Sequence, residues 1–102
     1  MADSLILPVA ERDVVEIFEY HLDHSDGTAS RFADAVIEVV RRLEQFPYSG
    51  APRQDLGEDV RVVSLNRQRA NLYYAVVEGD RTTVTVLRVL RQERRVSKED
   101  FP

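Results

Sequence analysis

Residues 9–46 read VAERDVVEIFEYHLDHSDGTASRFADAVIEVVRRLEQF, and the periodicity of this stretch decides the fold class. Ala10, Val14, Ile17, Phe18, His21 and Leu22 recur at intervals of three and four, while Glu11, Arg12, Asp13, Glu16, Glu19 and Asp23 fill the other side. That pattern predicts an amphipathic helix over residues 9–24, with Pro8 tolerated in its first turn because that N–H has no helical partner. Ser25-Asp26-Gly27 interrupts it, and Thr28 is the expected N-cap of a second helix. There Ala29, Phe32, Ala33, Val36, Val40 and Leu43 form one stripe, widened by Ile37 and Val39, until Phe46-Pro47 ends the run. Two amphipathic helices joined by a short polar link form a hairpin that needs a flat apolar partner.

The flanking segments supply that partner. On the N-terminal side, Leu5-Ile6-Leu7 reads as a short strand ended by Pro8. On the C-terminal side, Pro47, Gly50, Pro52 and Gly57 exclude regular structure, and residues 47–58 read as a surface loop. Three β-rich runs follow: Val60–Leu65, Asn71–Val77 and Thr82–Leu90, the last two joined by the turn Glu78-Gly79-Asp80-Arg81 and therefore antiparallel. The order β-α-α-β-β-β predicts an α+β domain, with the N-terminal helical hairpin packed on one face of a small antiparallel sheet. The other face is then open and able to carry arginines.

The chain has 102 residues, 14 Lys+Arg against 18 Asp+Glu, 43% apolar residues and no cysteine. This suits one domain over residues 1–102, because two cores would each be too small to stand alone. Disulfides and thiolate metal sites are excluded, no apolar run is long enough to span a bilayer, and no signal segment is evident, so a cytoplasmic protein is expected. Residues 1–50 carry four basic and ten acidic side chains (−6), residues 51–102 ten basic and eight acidic (+2), and Lys98 is the sole lysine. A net charge of −4 argues against non-specific nucleic-acid binding, which needs a strong positive field. A local cluster of arginine forks in the second half still suits an anionic partner.

The pieces fall in a familiar order. Leu5-x-Leu-x-x-Ala10-x-x-Asp13-x-x-Glu16-Ile17-x-x-Tyr20 opens the chain, followed by Ala29-x-x-Phe32 and Leu43-x-x-x-Pro47-x-x-Gly50-x-x-Arg53. Val60-Arg61, the aromatic run Leu72-Tyr73-Tyr74 and Val86-Leu87-Arg88-Val89-Leu90 complete it. This series resembles the ParE branch of the RelE/ParE toxin superfamily of bacterial type II toxin–antitoxin pairs, over essentially the whole chain. The resemblance implies a helical hairpin on a small sheet and a hetero-oligomeric complex with a ParD-like antitoxin whose C-terminal segment wraps the toxin. It also implies DNA gyrase as the target and plasmid stabilisation as a role, with no cofactor. RelE-like relatives instead cut messenger RNA in the ribosome, with basic residues and commonly a tyrosine near the C-terminus.

Metal-free RNA cleavage needs a base for the 2′-hydroxyl, cations for the phosphorane charge and an acid for the leaving oxygen. Arg61, Arg81, Arg88, Arg91, Arg94 and Arg95 supply cations, but Val96-Ser97-Lys98-Glu99-Asp100-Phe101 contains neither tyrosine nor histidine. A toxin that binds rather than cuts is therefore expected, with no catalytic residue, and a RelE-like ribonuclease is the alternative. Arg61, Tyr73, Arg88, Arg94 and Arg95 are the candidate contacts to antitoxin or target. Each has a plainer reading. Arg61 is solvated or paired on the open face if Val60 and Val62 face the helices, Arg88 is a buried paired arginine, and Arg94 and Arg95 belong to a solvated charge run. Tyr73 and Tyr74 point to opposite faces, one expected in the core and one on the surface. Glu16 and Tyr20 are expected to pair on the helix surface. His21 and His24 are spaced for a metal, but no third ligand is apparent and none is expected.

Overall fold

In a computed structural model, described for residues 1–24 and 27–102, the chain forms two helices against one five-stranded sheet. The elements are β1 (Asp3–Ile6), α1 (Pro8–His24), α2 (Thr28–Gln45), β2 (Ala51–Pro52), β3 (Val60–Leu65), β4 (Ala70–Val77) and β5 (Thr83–Arg91), with a single 3-10 turn at Asn66–Gln68 and another at Lys98–Asp100. Of the polar link between the helices, Ser25 and Asp26 lie outside the described residues. Gly27, not Thr28, is the N-cap of α2. It takes a left-handed φ of 80°, which glycine adopts without steric cost.

The sheet order is β1-β5-β4-β3-β2. Three of its pairings are antiparallel, but β1 runs parallel to β5, with Asp3 to Ile6 opposite Thr83 to Val86. The sheet is therefore mixed rather than antiparallel. The helical hairpin carries the chain from β1 across the sheet, and the strands then step back until β5 meets β1 in the same direction. The loop of residues 47–58 also contributes β2, a two-residue edge against Arg61 and Val62.

Both faces of the sheet are covered. On one, Ala10, Ile17, Phe32, Val36, Val40 and Leu43 from the helices meet Leu65, Ala70, Leu72, Tyr74, Val84, Val86 and Val89. Burial of a large side chain such as Phe32, 0% exposed, contributes about 1.5–3 kcal/mol. The opposite face carries a second cluster of Leu56, Val60, Tyr73 and Leu90, closed by Val96 and Phe101 from the C-terminal tail. Tyr73 and Tyr74 do point to opposite faces, but both are buried, at 2% and 0%. The expected surface aromatic is absent because the tail folds back, setting Phe101 edge-on to Tyr73 with ring centroids 5.2 Å apart. Deleting residues 91–102 would remove part of a core as well as a charge run.

The strand alternation breaks once. In β5, Leu87 is an extra residue: Tyr73 faces Arg88, whereas Tyr74 faces Val86. Before this bulge even-numbered residues Val84 and Val86 face the helices, and after it odd-numbered Val89 does, while Leu87 and Leu90 face the second core. The bulge takes Arg88 out of the simple alternation with Val84 and Val86, and its guanidinium meets Asp13 of α1.

Arg61 lies on the helix-side face, opposite Tyr74, and Val60 and Val62 belong to the other, so the expected orientation is reversed. Its guanidinium donates to the carbonyls of Tyr48 (3.0 Å) and Gly50 (2.7 Å), and its carbon sits 5.2 Å from the Tyr48 ring centre. The Tyr74 hydroxyl donates to the Pro47 carbonyl at 2.7 Å and accepts from the Gly50 N–H at 2.9 Å. Together the two side chains clamp the segment after α2. A Cβ on Gly50 would lie 2.6 Å from the Tyr74 oxygen and 2.9 Å from the Val62 carbonyl. Gly50→Ala is therefore expected to destabilise the chain by about 1–3 kcal/mol, against no more than about 0.5 kcal/mol for Gly79→Ala, whose nearest neighbour is 3.8 Å away. Urea unfolding of the two variants checks the contrast, and equal midpoints would contradict the clamp.

Candidate functional site

The residue that organises the surface beside β5 is Asp13. It stands three residues after Ala10 and four before Ile17, on the buried stripe of α1 rather than the solvated side, and is 6% exposed. Its carboxylate accepts from Arg88 Nε (2.7 Å) and Nη2 (2.9 Å), a bidentate fork, and from the Val89 backbone N–H (3.0 Å). Strand β1 covers β5 only as far as Val86, so the Asp13 side chain takes the place of a strand neighbour for Val89. Arg88 also donates to the Asp100 carbonyl at 2.8 Å, which ties the tail to the same point. The Asp13 carboxylate holds the Arg88 guanidinium above the usual arginine range.

Around this pair lies a cleft of about 330 Å³ between α1 and the uncovered end of β5. Ile17, Val89 and Leu90 give it apolar walls, and Tyr20, Arg91, Glu93 and Arg94 stand at the rim. Tyr20 does not bond Glu16. It stacks on His24 at 4.0 Å, and the Arg91 guanidinium lies 4.2 Å from its ring centre on a cation–π contact. Arg91 also pairs with Glu93, and Arg94 with Asp100 at 2.8 Å. The Glu93 carboxyl is held below the ordinary carboxylate range, first by its own backbone N–H and then by Arg91, so it stays ionised and is a poor proton acceptor.

The five candidate contacts thus have different placements. Arg94 and Arg95 are exposed at the end of β5 and reachable by a partner. Arg61 clamps the loop at Tyr48 and Gly50, Tyr73 lies in the second core, and Arg88 is held by Asp13, its side chain 14% exposed. The structure brings Arg88 and Arg94 together through Asp100 and leaves Arg61 elsewhere on the sheet. Asp13 was read with the polar side of α1, although its spacing from Ala10 and Ile17 places it on the apolar stripe. His21 packs near Phe32, 5.7 Å between ring centres, and the described residues contain no group of His, Asp and Glu arranged to hold a metal.

The arrangement is a helical hairpin on a small mixed sheet, with a cation-rimmed cleft where β1 leaves β5 uncovered. Residues 5–96 match the family model of the ParE toxin of the type II toxin–antitoxin system parDE, and the chain belongs to this family. A solved structure of the chromosomal ParDE toxin–antitoxin system from P. aeruginosa is similar in fold. It has 23% sequence identity and a TM-score of 0.74, over 91% of this chain and 98% of that one. No curated protein sequence matches. No described helix is long and apolar enough to cross a membrane.

Removing Asp13 strands a buried guanidinium and an edge N–H, so Asp13→Ala should cost about 3–5 kcal/mol. The double variant Asp13→Ala/Arg88→Met removes both charges and leaves the Val89 N–H and the Asp100 carbonyl without these partners, a cost of about 1–3 kcal/mol. Chemical denaturation of the two single variants and the double is expected to show a coupling energy above about 1 kcal/mol. Strict additivity would show that the two residues do not act as a unit.

Proposed function

We propose that this ParE toxin acts in the cytoplasm by binding DNA gyrase and blocking replication, with no bond-making step of its own, and that a ParD-like antitoxin silences it in a hetero-oligomeric complex. The observation that carries this reading is the fate of the strand arginines and tyrosines. Arg88, Tyr73 and Tyr74 are consumed by internal contacts, and the sheet face opposite the helices is filled by Leu56, Val60, Leu90 and Phe101. A phosphodiester laid on that face would meet apolar side chains rather than an acid, a base and cations. The reachable cations, Arg94 and Arg95, suit carboxylates on another protein. Family membership supports the antitoxin partner and the gyrase target.

The deciding measurement is a supercoiling assay with purified gyrase, run beside cleavage of message on translating ribosomes. Inhibited supercoiling with intact message is the expected result, and cut message with unaffected supercoiling would install the RelE-like ribonuclease instead. Arg94→Glu/Arg95→Glu should weaken gyrase inhibition by about tenfold or more, because reversed charges oppose a complementary surface. Arg95→Glu alone should leave the unfolding midpoint close to that of the parent, since exposed substitutions rarely cost more than about 0.5 kcal/mol, whereas the double variant also loses the Arg94–Asp100 pair.

A further inference from the structure

A second cleft, of about 450 Å³, opens where the β3–β4 connection meets the ends of β5 and α1. Arg67 and Arg69 reach it from the connection, Arg91 from β5, and Tyr20 and His21 from α1, with Glu93 the only carboxylate on its wall among the described residues. Glu93 engages Arg91. Among the described residues neither Arg67 nor Arg69 has a carboxylate within ion-pair distance. The C-terminal end of α1 draws cations to this corner, but a helix dipole supplies only about half a charge. Arg69 also helps hold the Glu93 carboxyl low, so among the described residues lining this corner one carboxylate faces three guanidinium groups, on a chain whose net charge is −4.

The platform is also held in place. Gln92 donates from its side chain to Asn66 Oδ1 (2.9 Å) and Asn71 Oδ1 (3.2 Å), and its backbone N–H donates to the Arg69 carbonyl (2.8 Å). Arg69 sits at a φ of 54°, the one non-glycine residue among those described with a positive value. That conformation is uncommon for a side-chain-bearing residue, and here it turns Arg69 toward the end of β5. His21 brings a further polar atom: its Nε2 is buried with no hydrogen-bond partner among the described residues.

We propose that the Arg67–Arg69–Arg91 corner is an anion site that takes a phosphoryl group. Guanidinium forks approaching from two elements match the several oxygens of a tetrahedral phosphate better than the single plane of a carboxylate. Tyr20 is already engaged by His24, stacked at 4.0 Å, and by the Arg91 guanidinium, 4.2 Å from its ring centre. Recognition rests on the phosphate itself. The phosphate comes from a free polyphosphate or from a nucleic-acid backbone, and the chemistry at the arginines is the same for both.

The full chain, labelled for observation of arginine Nε–H resonances, is titrated with inorganic pyrophosphate at constant ionic strength. Saturable shifts concentrated at Arg67, Arg69 and Arg91 are expected. Arg67→Gln/Arg69→Gln should weaken binding by about tenfold or more while leaving the remaining spectrum in place. Non-saturating shifts, shifts of equal size at exposed Arg41 and Arg81, or unchanged affinity in the variant would overturn the site. A short single-stranded DNA in a second titration separates the sources. Tighter binding than pyrophosphate at the same three resonances assigns the phosphate to a nucleic-acid backbone, and equal or weaker binding there assigns it to a free polyphosphate. The readout is binding by the isolated chain, so it stands apart from gyrase inhibition.

Discussion

One carboxylate joins the three layers of this molecule. Asp13 projects from the buried stripe of α1, receives the Arg88 fork and the Val89 N–H from β5, and through Arg88 reaches the Asp100 carbonyl in the tail. A buried ion pair is a weak source of net stability, because desolvation offsets most of the attraction, yet breaking one costs several kcal/mol. Its consequence here is geometric. It sets where α1 crosses β5, finishes an edge that β1 abandons after Val86, and anchors the segment that closes the second core.

That anchoring has a functional side. With the tail seated, Tyr73 is covered by Phe101, and the sheet face opposite the helices becomes apolar interior. The arginines therefore divide into two populations. Arg61 and Arg88 are internal struts that satisfy carbonyls and a carboxylate, whereas Arg67, Arg69, Arg94 and Arg95 face outward at one end of the sheet. A chain with acidic balance thus presents a local cationic end without needing a positive net charge.

Much of the architecture was legible along the chain. The helical period of residues 9–24 and 29–45 and the β-rich runs after Val60 survive folding with boundaries shifted by a residue or two. The single carboxylate on the α1 stripe was legible too, had the spacing Ala10–Asp13–Ile17 been weighed above its polarity. The rest was not. The Leu87 bulge reverses the facing of Val89, and nothing in Val86-Leu87-Arg88-Val89-Leu90 marks where an extra residue enters.

The amino-acid sequence by itself determined the element types, their order and the family, because helical and strand periodicities are local consequences of side-chain spacing. Only the tertiary structure decided that β1 lies parallel to β5, that both tyrosines are enclosed, and which arginines remain available. Those outcomes depend on contacts between residues as far apart as Asp13 and Arg88, and on a tail that folds back over the sheet. A charge reads the same in sequence whether it meets water or a buried carboxylate, and only packing tells the two apart.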